Sequence, residues 1–162
     1  MDAPSRYYFA YGSNMNPARV RVRQMGFDVH MSAQLSGYEL AFNKRSRKYP
    51  GAASANVMLA SSASLVEGVV YRLEHAAEIQ VMDPYEGYPQ LYTRTELPVQ
   101  TSSGSVMAWT YIANAEHVVE GLKPARWYLS HLLAGKDYLS ADYYARLASV
   151  ICLPDSDVEP VG

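Results

Sequence analysis

Apolar and polar residues alternate, or gather in short blocks, along most of this chain. Arg6 to Ala10 (RYYFA) reads as a strand by its aromatic content. Turn residues break it at Tyr11-Gly12-Ser13-Asn14. Asn16-Pro17 then has the form of an N-cap followed by proline at the first helical position, with Gly26 as the expected stop. Asp28 to Leu35 and Gly37 to Asn43 read as two strands joined at Ser36-Gly37. Ala53 to Ala60 and the valine-rich Leu65 to Leu73 are two more. Glu74 to Asp83 carries apolar residues every third position (Ala76, Ile79, Met82) and predicts a helix ended by Pro84 and Gly87. Tyr92 to Gln100 and Ser105 to Ala113, turning at Ser103-Gly104, predict a hairpin. Pro124 opens a helix with Trp127, Leu129, Leu132 and Leu133 around its apolar stripe, closed by Gly135. Ser140 caps a last helix.

Six or seven short strands with helices inserted late, and few strand–helix–strand alternations, predict an α+β fold with a mostly antiparallel, strongly curved sheet. The 162-residue length fits one domain, expected over residues 1–152, and the proline-bearing acidic stretch 153–162 reads as a frayed tail. Lys44 to Gly51 (KRSRKYPG) is basic and proline-containing, and reads as a solvated loop that could touch an anion.

Composition changes the picture mainly by exclusion. Fourteen Lys and Arg stand against sixteen Asp and Glu, so no global basic field recommends a nucleic-acid partner. No apolar run is long enough to cross a membrane and the first residues lack a signal-type apolar stretch, so the expected location is the cytoplasm. The lone Cys152 can form neither an internal disulfide nor a zinc site, and reads as a packed thiol. His30, His75, His117 and His131 sit at no metal-ligand spacing. There is no G-x-G-x-x-G or Walker-type loop, and no G-x-S-x-G elbow surrounds Ser13. Tyrosine supplies 14 of the aromatic residues, which suits half-wet sheet faces and polar pockets alike.

Two segments keep chemical interest. At Tyr11-Gly12-Ser13-Asn14 a glycine allows close approach of backbone to a ligand, and the helix start beyond offers N–H groups to a carboxylate or oxyanion. An ordinary strand-to-helix turn has the same composition. At Met82-Asp83-Pro84-Tyr85-Glu86-Gly87, Glu86 lies among Tyr85, Tyr88 and Tyr92, surroundings that raise a carboxyl pKa towards the range of a general acid/base. The plain alternative is a solvated loop carboxylate. Asp83 reads as a turn-capping residue.

Taken in order, the pieces YGSN (Tyr11 to Asn14), Arg19, LSGYELAF (Leu35 to Phe42), VEGVVY (Val66 to Tyr71), MDPYEG (Met82 to Gly87) with Tyr92, and PARWY (Pro124 to Tyr128) resemble the γ-glutamylcyclotransferases. The resemblance runs from about Tyr7 to Leu147. Met15 and Met82 stand where leucine is usual, a change harmless by size. The asparagine of YGSN is closer to the γ-glutamyl-amino-acid branch than to the glutathione-specific or γ-glutamylamine branches. The resemblance implies a closed or nearly closed β-barrel with flanking helices. It also implies conversion of a γ-glutamyl amino acid or amide to 5-oxoproline with release of the amine, without metal or organic cofactor. By the same resemblance Glu86 is the catalytic acid/base, and Tyr11, Gly12, Ser13, Asn14, Met15, Tyr111 and Tyr128 bind substrate, the two later tyrosines supplying hydroxyls. The implied partner is a small γ-glutamyl molecule, with no nucleic acid and no membrane, and a homodimer is compatible with it. Two alternatives share the fold: a γ-glutamyl-unmasking enzyme of a biosynthetic pathway, and a binding module without turnover.

Overall fold

The computed structural model describes residues 3–46 and 49–154. In chain order the strands are β1 (Tyr7–Ala10), β2 (Phe27–Ser36), β3 (Tyr38–Arg45), β4 (Ala53–Leu59), β5 (Leu65–Leu73), β6 (Tyr92–Thr101) and β7 (Gly104–Ala113). The helices are α1 (Pro17–Val22), α2 (Ile79–Glu86), α3 (Arg126–Leu133) and α4 (Ala141–Ala148). Five strands close a barrel in the order β1-β5-β2-β6-β7. Its pairings are antiparallel except at the seam, where β1 meets β7 in parallel at Tyr8 and Trp109. The α+β class and the closed, mostly antiparallel barrel with flanking helices are those expected from the sequence.

The segment after Gly37 departs from simple succession. β2 and β3 are neighbours in sequence, yet β2 pairs with β5 while β3 pairs with β4 in a separate two-stranded sheet. Gly37, at φ +84°, makes the turn out of the barrel. Asn56 pins the small sheet back on the barrel. Its side-chain oxygen accepts from the Ala113 N–H of β7 (2.9 Å), and its amide nitrogen donates to Asn43 (3.1 Å).

β1 is the shortest strand of the barrel and is buried on both faces. Phe9 and Tyr11 join one apolar cluster with Leu35, Val66 and Val70; Tyr8 and Ala10 join another with Met15, Tyr71 and Met82. That is why the sequence there shows a near-continuous apolar run instead of alternation. A side chain at Gly68 of β5 would collide with the Ala10 carbonyl oxygen, so glycine lets the end of β1 lie directly on its neighbour.

Three local expectations need correction. α1 begins as expected, with the Asn16 side chain accepting from Ala18 N–H (3.1 Å) and Pro17 in its first turn. It stops at Val22, before Gly26, and the left-handed residue after it is Gln24 at φ +66°. α2 does not end at Pro84 but runs through it to Glu86. A proline so near the end of a short helix withholds a single intrahelical donor, and the carbonyl it abandons belongs to exposed Gln80. The true stop is Gly87 at φ +69°. There Tyr88 N–H returns to the Asp83 carbonyl and Gly87 N–H to that of Pro84, closing a Schellman-type cap. Of the expected tail, Leu153 still pairs with Ala125, and residues 155–162 lie outside the described residues. No helix among the described residues is long and apolar enough to cross a membrane.

Candidate active site

A cavity of about 220 Å³ opens where the end of β1, the last turn of α2, the start of α3 and the β3–β4 sheet meet. Tyr11, Gly12, Ser13 and Asn14 line it, as do Glu86, Tyr111 and Tyr128, so residues far apart in sequence share one space. Met15 does not: its side chain is fully buried in the core, with its Cβ against Gly135.

The loop after β1 folds into a tight 3-10 turn over Ser13–Met15, closed by Met15 N–H to the Gly12 carbonyl (3.0 Å). The N–H groups of Ser13 and Asn14 precede that first bond, the position from which turn donors face outward. Asn14 anchors the turn and is itself almost completely buried. Its carbonyl accepts from the Tyr71 hydroxyl (2.6 Å) and its side-chain oxygen from Arg23 Nη1 (3.1 Å). Its amide nitrogen donates to the Tyr8 hydroxyl (2.9 Å) and to Glu86 Oε1 (3.2 Å). A side chain at Gly12 would come within 3.2 Å of both Ala55 Cβ and the Tyr128 hydroxyl, so the loop lies tight against β4 and α3.

Glu86 ends α2 with its carboxyl in this cavity, on a helix and not on the loop the sequence suggested. Burial pushes its pKa above the ordinary 4.5, against the downward pull of Arg23, Arg19 and Lys44; Asp83 adds a smaller upward push. Arg19 comes from α1 and Arg23 from the residue that caps its C-terminus. Arg23 stacks on Tyr85 at 4.8 Å. Arg19 donates from Nε to the Ser13 hydroxyl (3.2 Å), and its Nη1 lies 3.3 Å from His131 Nε2. His131 is kept neutral into more acidic conditions than usual by burial first, and then by Arg19 and Arg23.

The tyrosines divide by what their hydroxyls do. Tyr128 accepts from the Ala55 N–H (2.9 Å) and keeps its own proton to give; burial raises its pKa to about 12. The Tyr111 hydroxyl is already committed. It donates to Asp83 Oδ1 (2.7 Å), so Tyr111 walls the cavity with its ring and does not offer the hydroxyl expected of it. Asp83 is no turn cap either. Its carboxylate takes two bonds from Arg94, at 2.8 and 3.0 Å, besides the one from Tyr111.

Sequence reasoning missed three members of the site. Tyr8 lies on β1, whose pattern shows only packing, and Arg23, one of an arginine-rich run, follows α1; both are buried polar partners. Lys44, read as part of a solvated loop, is only 6% exposed and lines the cavity, its ammonium 5.7 Å from the centre of the Tyr92 ring. The register of β3 against β4 shifts between Phe42 and Lys44. That bulge resets the in–out alternation, and both Asn43 and Lys44 turn inward. No alternation count along the sequence contains that signal. Of the remaining basic stretch, Arg45 is exposed and Arg47 and Lys48 lie outside the described residues. Among the described residues no group of three or more His, Cys, Asp or Glu is placed to hold a metal ion.

Comparison with known proteins brings a family to this geometry. The chain is similar in structure to an uncharacterized human protein, loc79017, at a TM-score of 0.78 and 24% identity, covering 93% of this chain and 90% of that one. It is similar to a γ-glutamyl cyclotransferase at a TM-score of 0.75 and 22% identity, covering 91% and 88%. A yeast γ-glutamyl cyclotransferase specific to glutathione follows at 0.64 and 14%, covering 90% and 94%. At such identities the shared feature is the fold. A search of curated proteins finds no match. Residues 8–130, which include every cavity residue named above, match the sequence pattern of a family over most of the chain, and the protein therefore belongs to the γ-glutamyl cyclotransferase, AIG2-like family.

Proposed function

We propose that this chain converts a γ-glutamyl amino acid or γ-glutamyl amide to 5-oxoproline, releasing the amine, with Glu86 as general acid/base. The observation that carries this reading is the placement of Glu86. It is a carboxyl whose proton affinity burial raises, in a cavity beside the Gly12–Asn14 turn and 3.2 Å from the Asn14 amide. A carboxyl poised nearer neutrality serves proton transfer in both directions.

The chemistry asks little else of the protein. The substrate's α-amine attacks its own γ-carbonyl and closes a five-membered ring, so the nucleophile is tethered and the site mainly holds the folded conformer. In the balance, the α-ammonium becomes a lactam N–H and loses two protons, while the departing nitrogen gains two and leaves as an ammonium. Glu86 carries each of the two protons in turn from the first nitrogen to the second, the two being close in the tetrahedral intermediate, and the bond from the γ-carbon to the second nitrogen breaks as that nitrogen is protonated. The Ser13 and Asn14 N–H groups face the oxygen that gains charge. Arg19 and Lys44 give the cavity a positive field suited to a substrate carboxylate.

The test is a panel of γ-glutamyl compounds, glutathione included, scored for 5-oxoproline, followed by Glu86→Gln on the best substrate. The amide keeps the shape and the acceptor for Asn14 but cannot exchange a proton near neutrality. Turnover should fall about 10²–10⁴-fold, the range of a general acid/base. A Gln variant within about threefold of the parent would remove Glu86 from the chemistry.

A further inference from the structure

One turn before Glu86 on α2 stands a carboxylate the reaction as written does not use. Asp83 receives both Nε and Nη2 of Arg94 (2.8 and 3.0 Å), and its Oδ1 also accepts from the Tyr111 hydroxyl (2.7 Å). Both side chains of the pair are largely shielded, 13% and 14% exposed. The guanidinium is itself clamped between two rings, 4.6 Å from the centre of Tyr88 and 4.5 Å from that of Trp109. Arg94 lies on β6 and Tyr111 faces it on β7 in the strand register. The barrel wall therefore grips α2 at the residue a turn below its functional end, and one of the gripping groups, Tyr111, also walls the cavity.

We propose that Asp83, held by Arg94 and Tyr111, is a positioning residue for Glu86: it docks the last turn of α2 on the barrel and sets, with Arg94, the local charge that the Glu86 carboxyl feels. This rests on the acid–base reading of Glu86 for its catalytic consequence. A like charge nearby makes a carboxyl hold its proton more tightly, and a neutralising cation beside that charge limits the effect. Removing Asp83 and removing Arg94 therefore push Glu86 in opposite directions. The other groups facing Glu86 are the same residues in both variants. Arg19 of α1, Arg23 just after it and Lys44 of β3 all favour its ionised form. The hydroxyls of Tyr8, Tyr11, Tyr92, Tyr111 and Tyr128 remain neutral because burial raises their pKa values.

The experiment compares Asp83→Asn, Arg94→Gln and Arg94→Lys with the parent. Two readouts are taken: the acid limb of the kcat/KM profile, and the ¹³C-carboxyl titration of Glu86, assigned by its loss in Glu86→Gln. Both should move down by roughly 0.5 pH unit or more in Asp83→Asn and up by a similar amount in Arg94→Gln. Arg94→Lys keeps the charge and should stay near the parent. A role in stability alone would lower the melting temperature of the variants and leave the titration where it was. An unmoved titration, or shifts of one sign in both variants, overturns the proposal. If Arg94→Gln does not fold, the downward shift of Asp83→Asn together with an unmoved Arg94→Lys decides the matter. If the parent releases 5-oxoproline from no compound, the reaction reading falls while the carboxyl titration still judges the coupling.

Discussion

The cavity has two walls built on different principles. One is the Gly12–Asn14 turn, in which a single buried asparagine side chain satisfies Tyr8, Arg23 and Glu86 at once. The other is the inner face of β3 and β4, held by strand pairing, a bulge and the Asn56 bridge to β7. The first wall is a hydrogen-bond hub on Asn14, so its polar groups carry stability and geometry together. In the second, Lys44 brings charge into the cavity while the sheet beneath it rests on other residues. The first wall should thus be intolerant of change in fold and function alike. The second should be tolerant in fold and sensitive in ligand binding.

The largest expected effect comes from breaking the hub. Asn14→Ala removes the acceptor of Arg23 Nη1 and the donor to both Tyr8 and Glu86, leaving a buried cation and a buried hydroxyl short of partners. Unsatisfied buried groups of this kind cost about 2–4 kcal/mol in total. Urea unfolding at neutral pH should show that loss, and turnover of the folded fraction should fall as well. A change below about 0.5 kcal/mol would mean that the turn is held by something other than Asn14.

Those two walls also differ in how well the sequence announces them. The turn is local: strand, glycine, asparagine cap and Pro17 stand consecutively, and Asn16 and Pro17 do in the structure what their order suggests. The β6–β7 hairpin is equally legible, with Thr101 opposite Gly104 across the turn. The second wall depends on which strand pairs with which. Alternation assigns a face to a residue but names no partner, so the departure of β3 from β2 at Gly37 was invisible. The bulge between Phe42 and Lys44 then shifted the alternation that would have placed Lys44 inside. Asp83 and Pro84 fail for the same reason. Local propensity reads them as a cap and a stop, and contacts with Arg94 and Tyr111, donated by the barrel, keep the helix going.

A smaller effect tests the second wall. Lys44→Met replaces a buried ammonium with a flexible apolar chain of similar length. The strand pairing and the Asn56 bridge that hold this sheet are untouched, so the unfolding free energy should fall by less than in Asn14→Ala. KM for the best γ-glutamyl substrate should rise roughly 10–100-fold, the size of one lost charge-assisted contact. A matching loss of stability would show that Lys44 belongs to a hub like that of Asn14, and the contrast between the walls would disappear.

The finest test concerns what both walls do to Glu86 itself. Burial raises its pKa above the ordinary 4.5 and outweighs the opposing pull of Arg23, Arg19 and Lys44. The native state then binds more protons than the unfolded chain between 4.5 and the raised value. Stability falls as pH rises through that window and is flat above it. Glu86→Gln removes this titration while keeping an oxygen for the Asn14 amide. Parent and variant should therefore unfold at the same urea concentration below pH 4.5, and the variant should become the more stable one as pH rises towards neutrality. The same substitution expected to slow turnover would strengthen the fold, because the site holds its carboxyl at a cost in stability. If the variant is instead less stable at neutral pH, the ion pairing from the two walls outweighs the burial of Glu86. Its pKa would then lie below the ordinary value, out of reach of an acid/base working near neutrality.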